Sequence, residues 1–317
     1  MWQQVLTNLF SIESLLALVV GVVGGMVIGA LPGLNATMAI SLLIPITYSM
    51  SPYAAFIMMM AVYTSAFYGG SLTAILIHTP GTPSSAATAG DGYALTKKGR
   101  GLEAMGMSTV ASMFGGAVSG IALLTMAPLL GKVSLMFSAP EYFLIVILGL
   151  SIIGGLGGGS MIKGFLMGCF GLFLGTIGTD GLTGQLRFTF GIDGLYSGIS
   201  TVPALIGLFS ISQALVLSEQ YLAFKQGIHR TVDEESMKGK FLPTMKEIIQ
   251  LIPNFIRSAI IGVVVGILPG AGGDIGAWFA YSQAKKASKH PEEFGTGIMD
   301  GVVASETANN AVIGGAL

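Results

Sequence analysis

"GALPGLNAT", Gly29–Thr37, and "GILPGAGGD", Gly266–Asp274, decide how this chain folds. Both lie in apolar runs, and both place Pro-Gly where a membrane-crossing helix would continue. Proline removes an amide donor and clashes with the turn before it, and the following glycine permits a non-helical backbone. In hydrocarbon the freed backbone groups must find partners inside protein or in a wet cavity. A single break reads as a kink filled by neighbours. Two breaks in nearly the same words read as a device.

The surrounding composition fixes the solvent. Of 317 residues, 52% are hydrophobic and 10% are charged, with a mean hydropathy of +0.76. Water-soluble domains carry about 25% charged residues. Several runs of about 20 residues hold no charge, enough to cross roughly 30 Å of hydrocarbon. The chain reads as an all-α polytopic membrane protein. Its net charge of −1 points to no nucleic acid or other charged partner. Cys169 is the single cysteine, in an apolar run, so neither a disulfide framework nor a metal set exists and a packing role is expected. No basic residue precedes the first apolar stretch, so "MWQQVLTNLFSIESLL" does not read as a cleaved signal peptide.

Hydropathy places spans at 12–31, 34–49, 53–77, 102–130, 142–158, 162–178, 198–218, 254–268 and 295–317, with a shorter apolar stretch at 274–284. Many of the 47 glycines fall within spans, where small residues let helix backbones approach closely. Three units follow: a first transmembrane repeat with its scaffold helices (1–220), a cytoplasmic linker (221–247) and the start of a second repeat (248–317). Lys and Arg set the orientation. Twelve fall on one side, including Lys97, Lys98, Arg100, Lys163 and Lys285, and only Lys132 and Arg187 on the other. Arg257 snorkels from the inner end of its span. The N-terminus and the polar loop 179–194 are therefore expected outside.

Pairing Gly29 with Gly266 also pairs Pro32 with Pro269 and Gly33 with Gly270. A second pairing sets the run from Ser65 against the run from Ser305. The connector after the first break, "SMSPYA", is uncharged and outside, whereas the second, "AKKASKHPEE", is charged and inside. Equivalent connectors on opposite sides mean inverted repeats, the pattern of secondary transporters. A broken helix offers a positive N-terminal end to a carboxylate and a negative C-terminal end to a cation.

A third irregular segment, Leu76–Gly92, contains Pro80, Pro83, His78 and the hydroxyls of Thr79, Thr82, Ser84 and Ser85, with no charge before Asp91. It reads as a re-entrant hairpin whose hydroxyls and amides hold a carboxylate, an ordinary cytoplasmic turn being the alternative. His78 reads as a satisfied packing residue more readily than as a proton carrier. Ionisable residues at membrane depth are functional candidates because they are costly there. Asp274 either caps the second half-helix or coordinates a cation. Glu306 and Asn310 share a helix face, with Asn309 beside them, and oxygen ligands of this kind suit sodium. Asn35 and Thr37 hold the places that Gly272 and Asp274 hold in the second repeat. The substrate candidates are Pro32, Gly33, Asn35, Thr37, His78, Thr79, Gly81, Thr82, Ser84, Gly270 and Gly272. The cation candidates are Asn35, Asp274, Glu306, Asn309 and Asn310. No catalytic set and no cofactor is expected; the residues read as a transporter for a small anionic solute, with sodium or a proton as the coupling ion that the oxygen-rich site would take.

Three long stretches, "GALPGLNATMAISLLIPITYSMSP", "YGGSLTAILIHTPGTPSSAATAGDGYALTKKGRG" and "GILPGAGGDIGAWFAYSQAKK" with "ASETANNAVIGGAL", resemble the large membrane subunit of the tripartite tricarboxylate transporters, the TctA family. The resemblance implies a bacterial inner-membrane protein that takes up citrate or other carboxylates. It also implies two partners, a small TctB-like membrane subunit and a periplasmic TctC-like solute-binding protein. The family's signatures fall on Pro32, Gly33 and Asn35, on Thr79 to Ser84, on Pro269 to Asp274 and on Glu306 to Asn310. Family members are longer, with a second Pro-Gly hairpin after the "NNA" words. Ending at Leu317, this chain reads as truncated within an incomplete second repeat, and it is not expected to transport alone. Two rivals are a channel and an intramembrane hydrolase. The second fails for want of a matching acid pair, a Ser–His pair or HExxH.

Overall fold

The computed structural model describes residues 7–31, 34, 36–134, 161–181, 183–200, 239–267 and 272–316, with scattered residues at 138–147 and 203–219. Nine α-helices are assigned among them: α1 (Ile12–Ala30), α2 (Ala36–Thr47), α3 (Pro52–Ile77), α4 (Ala86–Lys97), α5 (Gly101–Ser134), α6 (Met161–Gly175), α7 (Met245–Ile267), α8 (Gly272–Ala287) and α9 (Met299–Ala316). Most of the expected span at 142–158, residues 201, 202, 205, 213, 216 and 217 of the span at 198–218, and linker residues 221–238 lie outside the described residues. Among the described residues, four helices are long and apolar enough to cross a membrane: α1, α3, α5 over Gly101–Thr125, and α7. The protein is a helical membrane protein.

Local sequence sets the helix ends. Ser11 caps α1 by accepting the Ser14 amide at 3.2 Å. Ser51 caps α3, with Pro52 in the first turn. The helix α7 opens on a reciprocal box: the Thr244 amide and hydroxyl both donate to Glu247 at 2.7 Å, and the Glu247 amide returns to the Thr244 hydroxyl. That box starts α7 at Met245, nine residues before the span read from hydropathy, so the last linker residues are helical. Hydropathy alone missed it because the first turn carries Lys246 and Glu247.

Glycine contacts give the helix directions. Gly21 meets Met58 and Ala61, Gly25 meets Val62 and Ser65, and Gly29 meets Ala66, so α1 and α3 run parallel in close contact. The short α2 carries the chain back between them; its 12 residues span about 18 Å, too little to cross a bilayer. Asn254 donates to the Asp300 carbonyl, and Gly262 meets Ala308 and Ala311, so α7 and α9 also run parallel. The 16-residue α8 carries the chain back between them. Ile75 packs with Val302, while Ser71 lies beside Glu306 nearer the other end, so α3 and α9 are antiparallel. The close approach of Gly25 to the Val62 carbonyl and Ser65 side chain matches that of Gly262 to the Ala308 carbonyl and Ala311 side chain. This contact pairs Ser65 with Ala311, further along than the Ser305 of the sequence pairing, because the connector before α9 is longer.

The most buried helix is not the most apolar one. From Gly301 to Gly314 every residue of α9 is buried, although "ASETANNA" fills its centre. The helix α1, by contrast, is exposed along most of its length. Lipid tails solvate apolar side chains, so the polar helix takes the middle of the bundle. Cys169 corrects the packing expectation: it is exposed on α6. A two-stranded antiparallel ribbon, Gly178–Thr179 with Leu186–Arg187, departs from an all-helical reading; the Asp180–Arg187 ion pair closes it.

Candidate functional site

The hairpin after α3 brings hydroxyls into the bundle. His78 ends α3 in a left-handed conformation, φ 55°. The chain then folds back along the helix it has just left: the Gly81 amide donates to the Gly70 carbonyl at 3.2 Å. Gly81 also packs on the Gly29 carbonyl at the end of α1, with no room for a Cβ. From there α4 returns, and the Thr96 hydroxyl donates to the Ile75 carbonyl at 2.8 Å. Thr82 and Ser85 close the turn reciprocally: the Ser85 hydroxyl donates to the Thr82 carbonyl at 2.8 Å, and the Thr82 amide donates to the Ser85 hydroxyl at 3.2 Å. Thr82 and Ser84, both buried, link hydroxyls at 3.1 Å.

Opposite this turn stands the start of α8. Gly272 takes φ 53°, which glycine adopts without a Cβ penalty. A Cβ on Gly273 would stand 2.7 Å from Asn309 Oδ1, 3.4 Å from Phe67 and 3.6 Å from Ser84 Cβ. Asp274 remains accessible and faces the Ser84 backbone amide, with Tyr63 near. Thus Thr82, Ser84, Gly272, Asp274 and Asn309 meet near the middle of the bundle, from three separate segments. Asn309 is 1% exposed, and neither atom of its amide has a hydrogen-bond partner.

Glu306 sits one turn away on another face of α9, fully buried. It is caged by hydroxyls: Thr88 donates to Oε1, Ser108 and Ser112 donate to Oε2 at 3.2 and 3.3 Å, and Ser71 lies beside them. The Asn310 amide donates to the Ser112 hydroxyl at 2.9 Å and to the Glu306 carbonyl at 3.1 Å. Asn310 therefore orients the cage and spends its donors doing so.

Other candidates stand apart. The Thr79 hydroxyl donates to the Ile77 carbonyl at 3.3 Å, finishing α3. His78 stacks on Tyr93, ring centroids 4.8 Å apart, and faces a cavity of about 820 Å³ lined by Trp278, Tyr281, Lys285, Pro291, Glu292 and residues 294–296. Pro32, Gly33, Asn35 and Gly270 lie outside the described residues, as does the side chain of Thr37. Sequence reading missed Thr88, Ser108 and Ser112. The last two are hydroxyls four apart on an apolar helix, a spacing that puts both on one face. It also passed over Asp91, which is fully buried and fastens α4 to the segment before α9.

The chain is 41% identical over 292 residues to an Agrobacterium vitis protein described as an "uncharacterized 52.8 kDa protein in TAR-I ttuC′ 3′ region", covering 92% of this chain and 57% of that relative. It is also 46% identical over 50 residues to an Agrobacterium vitis "uncharacterized protein in TAR-II ttuC′ 3′ region", covering 16% of this chain and 21% of that protein. The chain thus spans little more than half the length of the longer match. No solved structure matches. The sequence model of the tripartite tricarboxylate transporter TctA family matches residues 15–317, and the chain belongs to that family.

Proposed function

We propose that this chain is the carrier subunit of a binding-protein-dependent secondary transporter in a bacterial inner membrane, taking up tricarboxylates or related carboxylates on a sodium or proton gradient. A TctB-like small subunit and a periplasmic TctC-like binding protein are its partners. One observation carries the reading. The hydroxyl turn of Thr82 and Ser84, the first turn of α8 and the Asn309 amide meet mid-bundle, where the α1–α3 unit faces the oppositely running α7–α9 unit. That opposition supports inverted repeats, and the return of Gly81 to Gly70 supports a re-entrant hairpin. Thr82 and Ser84 receive the substrate carboxylate, and buried Glu306 serves the coupling cation or proton.

Orientation follows the charges. Arg100, Lys240 and Asp300 line one recess of about 550 Å³ where α5, α7 and α9 begin, and this end faces the cytoplasm. Uptake of labelled citrate and related carboxylates into proteoliposomes, with both partners and an imposed sodium or pH gradient, tests the whole reading. Saturable uptake that needs the binding protein and follows one gradient is expected. Unsaturable flux that ignores the binding protein would identify a channel instead.

A further inference from the structure

The Ser84 end of α4 is a place where an anion is stabilised. The helix is 12 residues long, and the turn before it brings the linked hydroxyls of Thr82 and Ser84 to its N-terminal end, while the Thr82 and Ser85 amides are spent inside the turn. Across from it, Asn309 presents an amide that is 1% exposed and hydrogen-bonded to nothing. Its Oδ1 and the Ser84 Cβ stand near the same point above Gly273, and with neither amide atom bonded a half-turn of the side chain brings the Nδ2 donor into this corner. An unpaired buried amide is costly to keep, and its donor suits an acceptor that arrives from outside. The carboxylate that lies toward the Ser84 amide is that of Asp274, next to Gly273, whose Cβ would stand 3.6 Å from Ser84 Cβ. Asp274 reaches it from an accessible position, one residue beyond Gly273.

We propose that Thr82, Ser84 and Asn309 form the seat for one carboxylate of the substrate, and that Asp274 occupies it as a tethered stand-in until substrate displaces it. The inference rests on the carboxylate-carrier reading and moves Asn309 from the cation group to the anion seat. An incoming carboxylate takes the Ser84 amide and supplies the acceptor that the Asn309 Nδ2 donors lack. Two carboxylates cannot share the seat, because like charges at that distance repel strongly. Asp274 is therefore expelled as substrate enters and is left as a free, accessible anion. There it attracts a cation. One exchange thus ties substrate entry to cation capture, with the same carboxylate serving first as plug and then as ligand.

The test is calorimetric binding of tricarballylate, a tricarboxylate without other functional groups, to the purified full-length chain in detergent. Asp274→Asn keeps size and removes the competing charge, so tricarballylate should bind about tenfold more tightly than to wild type. Asn309→Ala removes a donor to the bound carboxylate and should weaken binding about tenfold. Gly273→Ala, whose methyl displaces the Asn309 amide, should weaken it likewise. Melting temperatures show which variants fold, and Asp274→Asn alone decides the stand-in role if the other two do not. Unchanged or weaker binding in Asp274→Asn would overturn the proposal while leaving the carrier reading intact. If neither wild type nor any variant binds tricarballylate or citrate, the carrier reading falls, and the seat falls with it.

Discussion

The Tyr281 hydroxyl on α8 donates to the Asp91 carboxylate on α4 across 2.7 Å, joining the first half of the chain to the second. The other carboxylate oxygen accepts the amides of Gly295 and Gly297 at 2.8 Å and of Ile298 at 3.1 Å. Gly295 and Gly297 adopt φ of 88° and 102°, which lets neighbouring amides turn toward one oxygen. The hairpin helix of the α1–α3 unit is therefore fastened to the connector of the α7–α9 unit, beside the cavity that His78 and Lys285 line.

Removing that carboxylate should cost more than removing the phenol. Asp91→Ala strips four donors of their acceptor, and each buried donor left unsatisfied costs about 1–3 kcal/mol. Tyr281→Phe removes one hydrogen bond and should cost about 1–2 kcal/mol. Thermal unfolding in detergent should rank wild type, Tyr281→Phe and Asp91→Ala in falling order. The double variant should match Asp91→Ala alone. Equal melting temperatures for all four proteins would show that the clasp holds nothing.

Glycine substitutions should divide by what faces each one. A Cβ on Gly29 would overlap the Ala66 carbonyl, and one on Gly81 would overlap the Gly29 carbonyl. Backbone cannot yield as a flexible side chain does, so Gly29→Ala and Gly81→Ala should lower folded yield sharply. Gly24 and Gly116 have nothing within 4 Å of an added Cβ, and alanine there should leave folded yield and melting temperature unchanged or slightly raised. Gel filtration of the fluorescent fusion proteins reads this directly. Similar profiles at all four sites would mean that α1 and α3 do not meet as described.

Much of this was legible in the sequence, and what was missed shares one cause. Hydropathy located much of α1 and α7, and the Pro- and hydroxyl-rich run located the turn between α3 and α4, because each is a local property of the chain. The Glu306 cage was not legible: Thr88 and Ser108 lie about 200 residues away in sequence, and only the helix packing brings them to the carboxylate. Asp91 escaped for the same reason, since its partners lie beyond residue 280. The start of α7 could have been found, because Thr244 and Glu247 spell a capping box that hydropathy ignores.

Cysteine labelling tests the orientation drawn from charge. With the Arg100, Lys240 and Asp300 end placed in the cytoplasm, Gly184→Cys in the ribbon loop should react with an impermeant thiol reagent in intact cells. Lys98→Cys and Lys286→Cys should react only after permeabilisation. The background should be Cys169→Ser, since Cys169 is exposed on α6. Reaction of Lys98→Cys from outside would reverse the first unit and remove the inversion.

Glu306 should decide coupling more than binding. Asn310 donates to the Ser112 oxygen, which leaves the Ser112 proton directed at Glu306. Thr88 and Ser108 also point donors at it, so the cage is built for an acceptor with charge to share. Glu306→Gln keeps the volume but brings an NH2 group toward hydroxyls already aimed as donors, and it removes the charge a cation or proton would use. Substrate exchange at equilibrium does not require a driving ion to move, so counterflow of labelled citrate should persist in Glu306→Gln proteoliposomes containing both partners. Accumulation driven by a sodium or pH gradient should fall by about tenfold or more, on the order of 1.4 kcal/mol of lost coupling. Asn310→Ala, which only loosens the orientation of Ser112, should reduce accumulation by a smaller factor and leave counterflow intact. If Glu306→Gln accumulates citrate as wild type does, the carboxylate is a packing element of α9 and the coupling ion binds elsewhere. If counterflow and accumulation fall together while the protein remains folded, Glu306 belongs to the substrate seat.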